Sequence, residues 1–237
     1  DEILQAYNLI RSGDHEGAKE ILQAALMFEL DNEEILFAIR CCNFWIDALR
    51  HAKEIDDFFE RGECYINEWK AFLIFLNREK KTFDRPLFAV KTGVFSLALN
   101  CYNQLNNQKD AAQKSEIQRK IGLCHKKLGE YENARNCLTE ALSIKNDSAA
   151  TIAEAADCYA LCSEERRAKV LFREAFYLDA QKIDLAFLDS ELINCLVRNV
   201  QDKGYTDAAL LEWIPVYGQL YGIFTVKRRL RPQEIAR

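Results

Sequence analysis

Residues 115–148 read SEIQRKIGLCHKKLGEYENARNCLTEALSIKNDS, and residues 149–182 read AATIAEAADCYALCSEERRAKVLFREAFYLDAQK. The second stretch follows the first without a gap, and small or apolar residues recur between them at a spacing of 34. Gly122 falls on Ala156, Cys124 on Cys158, His125 on Tyr159, Ala134 on Ala168, Leu138 on Phe172, Ala141 on Ala175 and Ile144 on Leu178. A period of this length marks a repeat architecture, in which no single unit buries its apolar face alone.

Each stretch specifies two helices and a turn. Small side chains such as Gly122 and Ala134 let antiparallel helices approach closely, and larger apolar residues fill the seam around them. Gly129, in Leu128-Gly129-Glu130-Tyr131, ends the first helix, since glycine enters the left-handed conformation without a steric penalty. Ala134 and Ala141, seven residues apart, share one face of the second helix.

Together, Ile121-Gly122, Gly129, Tyr131, Ala134, Leu138 and Ala141 resemble the tetratricopeptide repeat pattern. An N-terminal copy keeps the same offsets at Ala6, Gly13, Ala18, Leu22 and Ala25. A degenerate copy follows it, with Ala52 34 residues after Ala18, Ile39 at the apolar crossing position and Arg40 where a small residue is expected. Gln118 and Ile152 stand where the family commonly has tryptophan, and Leu30, Asn146 and Ala180 where it commonly has proline. The resemblance implies an all-α fold: a right-handed superhelical solenoid of antiparallel helix pairs, with an enlarged central pair and a C-terminal capping helix.

The expected organisation is a single helical-repeat domain over residues 1–237. It comprises two N-terminal repeats over 1–62, the second degenerate; an enlarged pair over 63–110; two regular repeats over 115–182; and a degenerate repeat plus C-terminal helix over 183–237. In the enlarged pair the sequence predicts helices from Glu63 to about Lys80 and from Pro86 to about Asn106, with start chemistry from Asp84 and Pro86. Further on it predicts a helix from Ile183 to Asn199 and a second beginning at Thr206-Asp207, which Pro215 kinks or ends. A last helix is expected to run to about Leu230 and to stop at Pro232.

With 49% apolar residues the chain can bury a substantial core without disulfides, and three prolines with nine glycines supply too little turn punctuation for a loop-rich β fold. A net charge of −5, drawn from residues of both signs, argues against bulk attraction to nucleic acid, and none is expected as a partner. The nine cysteines contain no Cys-x-x-Cys pair. Only Cys158 and Cys162 share a helix face at ligand spacing, with no histidine near them in sequence, so no metal and no cofactor are expected. The cysteines read instead as small core residues in a reducing compartment, and the expected location is cytoplasmic. No signal-peptide pattern opens the chain and no run of eighteen apolar residues occurs, so a membrane is not an expected partner.

Signs of catalysis are lacking: there is no glycine-rich phosphate loop, no His-Glu-x-x-His and no nucleophile elbow. His15, His51 and His125 fall on helix or turn positions that the repeat explains, His125 in an aromatic packing slot. No catalytic residue is assigned, and the chain is not expected to be an enzyme.

What the resemblance implies instead is a scaffold or adaptor that holds a peptide or helix of another protein in a concave groove lined by the first helix of each pair. The groove residues would be Tyr7 and Arg11 in the first copy; Phe37, Phe44 and Trp45 in the second; Arg119, Lys120, Leu123, Lys126 and Lys127 in the third; and Glu154 and Asp157 in the fourth. This sets a basic strip beside an acidic one, which would meet a charged ligand or pair with each other. Phe44 and Trp45 either line the groove or pack against the enlarged helices that follow. Ile3 and Tyr7 occupy the places where some family members grip a C-terminal carboxylate through lysine and asparagine, so no such clamp is expected. In the C-terminal helix, Trp213, Tyr217, Tyr221 and Phe224 recur at helical spacing, with Gly218 and Gly222 among them and Lys227, Arg228, Arg229 and Arg231 beyond. This segment reads first as a cap. Next it reads as the oligomer or docking face of a structural assembly subunit that self-associates, and last as an interfacial membrane helix.

Overall fold

The computed structural model describes residues 2–105 and 110–225 of the chain. Among these residues it is all-α, with no strand. In chain order the helices are α1 (Glu2–Ser12), α2 (His15–Leu26), α3 (Glu33–Lys53), α4 (Phe58–Arg78), α5 (Asp84–Asn103), α6 (Ala111–Lys127), α7 (Tyr131–Ile144), α8 (Ala149–Leu161), α9 (Glu165–Asp179), α10 (Glu191–Gln201) and α11 (Asp207–Leu220). Two short 3-10 turns, Ala180–Lys182 and Leu185–Phe187, lie between α9 and α10. The chain divides into two compact units, Asp1–Glu130 and Tyr131–Arg237.

Three helices end in the same turn. At the end of α6 the Gly129 N–H donates to the Lys126 carbonyl at 3.0 Å and the Glu130 N–H to the His125 carbonyl at 2.9 Å, with Gly129 at φ 84°. The end of α1 repeats this at Gly13 (φ 85°), and the end of α8 at Ser163 (φ 64°). Such a turn satisfies helix-terminal carbonyls that have no partner within the helix, and it needs one left-handed residue to do so. Ser163 lies 34 residues after Gly129, so the repeat enforces the conformation even where glycine has been lost.

In the first unit α5 packs against α1, α3, α4 and α6. Gly93 makes the α1 crossing close: a Cβ there would lie 2.5 Å from the Ile10 carbonyl oxygen. The α3–α4–α5 seam is aromatic. Trp45 meets Trp69 at 6.4 Å and Phe72 at 5.5 Å, and Trp69 meets Phe95 edge-on at 5.1 Å, geometries that add to simple burial. The second N-terminal repeat is absent as a 34-residue pair. Where the frame calls for a turn near Asp47, α3 runs unbroken for 21 residues and α4 begins at Phe58, capped by the Asp57 carboxylate. With no glycine in α3 to break it, apolar contacts at Cys41, Cys42, Trp45, Leu49 and Ala52 carry the helix on. Helix α4 thus starts five residues before Glu63, and α5 starts at Asp84 and ends at Asn103; Asn106 is outside the described residues.

The second unit keeps the repeat register. Ala134 and Ala168, Leu138 and Phe172, and Ala141 and Ala175 are all wholly buried. The pair Ile144 and Leu178 diverges, because Leu178 is half exposed. The expected helix from Ile183 begins only at Glu191, since Leu185–Phe187 form a 3-10 turn and the Asp189 and Ser190 N–H groups are held by tertiary hydrogen bonds described below. Pro215 lies inside α11 without ending it. The helix stops at Leu220, where Gly222 turns left-handed (φ 73°) and the Phe224 N–H donates back to the Gly218 carbonyl at 2.9 Å. Phe224 is then wholly buried, stacked on Phe176 at 5.7 Å, and Gly218 leaves room for its ring. Residues 226–237, including the expected helix end near Leu230 and Pro232, are outside the described residues.

Candidate functional site

The expected groove residues fall into three groups. Those of α1 and α3 are mostly structural. Tyr7 is buried and donates its hydroxyl to Glu34 at 2.8 Å, and burial first, then this carboxylate, holds its phenol well above the ordinary range. Phe37 and Trp45 are wholly enclosed and present no surface, a correction to their reading as ligand contacts. Phe44 keeps part of its ring accessible while touching Trp45, Phe72 and Phe75 at 5.2–5.6 Å. Arg11 is exposed, its guanidinium 5.4 Å above the Phe88 ring.

The second group is the basic set on α6. Lys120, Lys126, Lys127 and Leu123 are all buried, contrary to their reading as an open basic strip. Lys120 reaches the two Glu63 oxygens at 2.7 and 2.8 Å, and Tyr102 donates to the same carboxylate at 2.6 Å. Burial and Glu63 raise the Tyr102 phenol, which stays protonated as a donor. Two donors thus converge on one acceptor from α5 and α6, a tie between three helices in which Tyr102 is wholly enclosed and Gly62 leaves room for its ring. Arg119, mostly covered, pairs with Glu116 of its own helix.

The third group, on α8, is also buried: Glu154 at 5% exposure and Asp157 at 0%. Asp157 accepts the backbone N–H groups of Asp189 and Ser190, each at 2.8 Å. Lys126, Lys127, Glu154 and Asp157 all engage other groups of the chain.

On α11 Trp213 is exposed and Tyr217 half buried; just past its end Tyr221 is exposed, while Phe224 is buried, a correction to its reading as part of a docking face. Trp213 stacks on Tyr205 at 4.8 Å, and Tyr217 bridges Trp213 at 6.0 Å and Tyr221 at 5.6 Å. Val216 and Leu220 add exposed apolar surface beside this ladder.

Residues 120–148, which cover the latter part of α6, the Gly129 turn, α7 and the Ser148 cap of α8, match a family model described as tetratricopeptide repeat. That stretch is a tetratricopeptide repeat. No curated protein matches it. Tetratricopeptide repeats in general mediate binding to other proteins.

Beyond the expected set, Phe88 is exposed beside Arg11, and the half-buried Lys91 lies 6.0 Å above the same ring. Arg85, Phe88 and Lys91 recur every three residues on α5, a spacing that could have signalled a basic-aromatic strip. A second missed surface is Met27, Phe28 and Leu30, where Leu30 replaces a family proline. Among the described residues no group of three or more His, Cys, Asp or Glu could hold a metal, and no helix is long and apolar enough to cross a membrane. All nine cysteines are free thiols. Burial pushes the Cys42 thiol up to about 12 and the Cys41 thiol higher still, so neither is a nucleophile at neutral pH.

Proposed function

We propose that the chain is an adaptor that binds a peptide or helix of a partner protein in its concave groove and does no chemistry of its own. The observation that carries this reading is the tetratricopeptide match over residues 120–148. The groove contacts would be the accessible members of the expected set, Arg11 and Phe44, extended by Phe88 and Lys91. An exposed ring flanked by cations suits a segment that pairs an apolar anchor with an acidic residue. Tyr7, Phe37, Trp45, Arg119, Lys120, Leu123, Lys126, Lys127, Glu154 and Asp157 then act behind that surface, by fixing helix positions.

A second reading is favoured by the aromatic ladder of Tyr205, Trp213, Tyr217 and Tyr221, of which Trp213 and Tyr221 are exposed: a structural assembly subunit that docks or self-associates through α11 and the turn after it. Both readings are tested by affinity capture from the source cell lysate. The baits would be the wild-type chain, an Arg11→Glu/Phe44→Ala variant and a Trp213→Ala/Tyr221→Ala variant, each of checked helicity. A protein lost only by the first variant supports the groove; one lost only by the second supports α11. Equal capture by all three baits overturns both.

A further inference from the structure

Among the described residues, three of the most exposed large apolar side chains lie in the turn between α2 and α3. Phe28 is 86% exposed, Met27 75% and Leu30 70%, with Leu4 of α1 at 46%. The turn is not loose: the Met27 and Phe28 N–H groups close the end of α2, and the Asn32 side chain accepts the Glu34 and Ile35 N–H groups at the start of α3. Three large apolar side chains are therefore held outward on a fixed backbone. Beside them lies a cavity of about 400 Å³, lined by Ile3, Leu4, Ala25, Phe28 and Ile35 with Glu2, Glu29 and Arg85 at its edge.

The rim of this patch is acidic on balance: it carries three carboxylates and one cation, Arg85, which lies 3.8 Å from the Glu34 carboxylate. Glu2, Glu29 and Asp31 are exposed and make no ion pair among the described residues, while Glu33 is paired with Lys81. An occupant must therefore bring apolar side chains together with positive charge, which disfavours nucleic acid and an anionic membrane surface. The chain supplies such a segment itself: Val226-Lys227-Arg228-Arg229-Leu230-Arg231 interleaves two apolar residues with four cations.

We infer that the Met27-Phe28-Leu30 patch of one copy binds the basic-apolar C-terminal segment of a second copy. The contact joins two different surfaces, so each copy offers one patch and one segment and association continues beyond a dimer unless a ring closes. It goes beyond the groove and α11 readings and uses neither surface.

Sedimentation velocity tests it. The wild-type chain should gain mass with concentration, and less so when salt shortens the screening length from about 10 Å at 0.1 M to about 3 Å at 1 M. The variants Phe28→Asp/Leu30→Asp and Lys227→Glu/Arg228→Glu/Arg229→Glu each remove one side of the contact, and Phe28 and Leu30 are exposed side chains outside the core. Each alone should stay monomeric. An equimolar mixture retains one intact patch and one intact segment and should form a dimer and nothing larger. A wild-type chain that stays monomeric throughout overturns the inference, as does undiminished association of either variant alone, which an α11 contact would give. A mixture that remains monomeric overturns it as well.

Discussion

The Asp157 carboxylate of α8 accepts the Ser190 backbone N–H at 2.8 Å, and its other oxygen accepts the Asp189 N–H at the same distance. Helix α10 is thus capped by a side chain from another helix, while Ser190, at its own cap position, makes no side-chain cap bond and keeps its hydroxyl buried without a partner. The expected outcome inverts the usual rule. Ser190→Ala should change unfolding free energy by less than about 0.5 kcal/mol, where a working cap serine is worth about 1 kcal/mol. Asp157→Ala leaves two amides uncapped and should cost about 3 kcal/mol, read by urea denaturation of both variants.

Ser163 occupies the left-handed turn position that Gly129 occupies 34 residues earlier. A side chain there is strained, so Ser163→Gly should stabilise the protein by about 1 kcal/mol, and Gly129→Ala should destabilise it by a similar amount. Thermal denaturation of the pair gives opposite shifts in Tm if the shared turn is the cause.

Alanine is a better helix former than glycine, yet Gly93→Ala should destabilise. Its Cβ would sit 2.5 Å from the Ile10 carbonyl oxygen, on backbone that cannot rotate away. A loss of at least about 2 kcal/mol is expected, against a propensity gain of about 1 kcal/mol at a free site. Chemical denaturation in urea measures it.

His15 is 2% exposed, and burial lowers its imidazole to about 4, with nearby Lys53 acting in the same direction and Asp14 opposing. Its ordinary value of 6.5 applies when unfolded, so the unfolded chain binds the proton first. Stability is then full above pH 6.5, falls as pH drops towards 4, and levels off below, a loss of roughly 3 kcal/mol. Replacing His15 by leucine should flatten that part of the stability profile, measured by urea titrations at several pH values.

Much of the framework was legible locally. Gly13 and Gly129 announce turns because their conformation is a property of one residue, and Ala134, Leu138, Ala168 and Phe172 announce a core face because helical period is fixed by the backbone. The uninterrupted α3 was not legible. Ile39 and Arg40 lie in a helix that passes the turn position near Asp47 without a break, and continuing a helix depends on neighbours that stay apolar along its whole length.

The candidate site shows the same division. An all-α chain with helix pairs in a 34-residue period can be read from the residues alone, because spacing and turn chemistry act within a few residues. Packing between distant helices is what lets Lys120 and Tyr102 both donate to Glu63, lets Asp157 cap α10, and encloses Phe37 and Trp45 while leaving Phe28 and Phe88 exposed. A helix face looks the same in sequence whether water or another helix covers it, and which of the two it meets is set by partners distant along the chain.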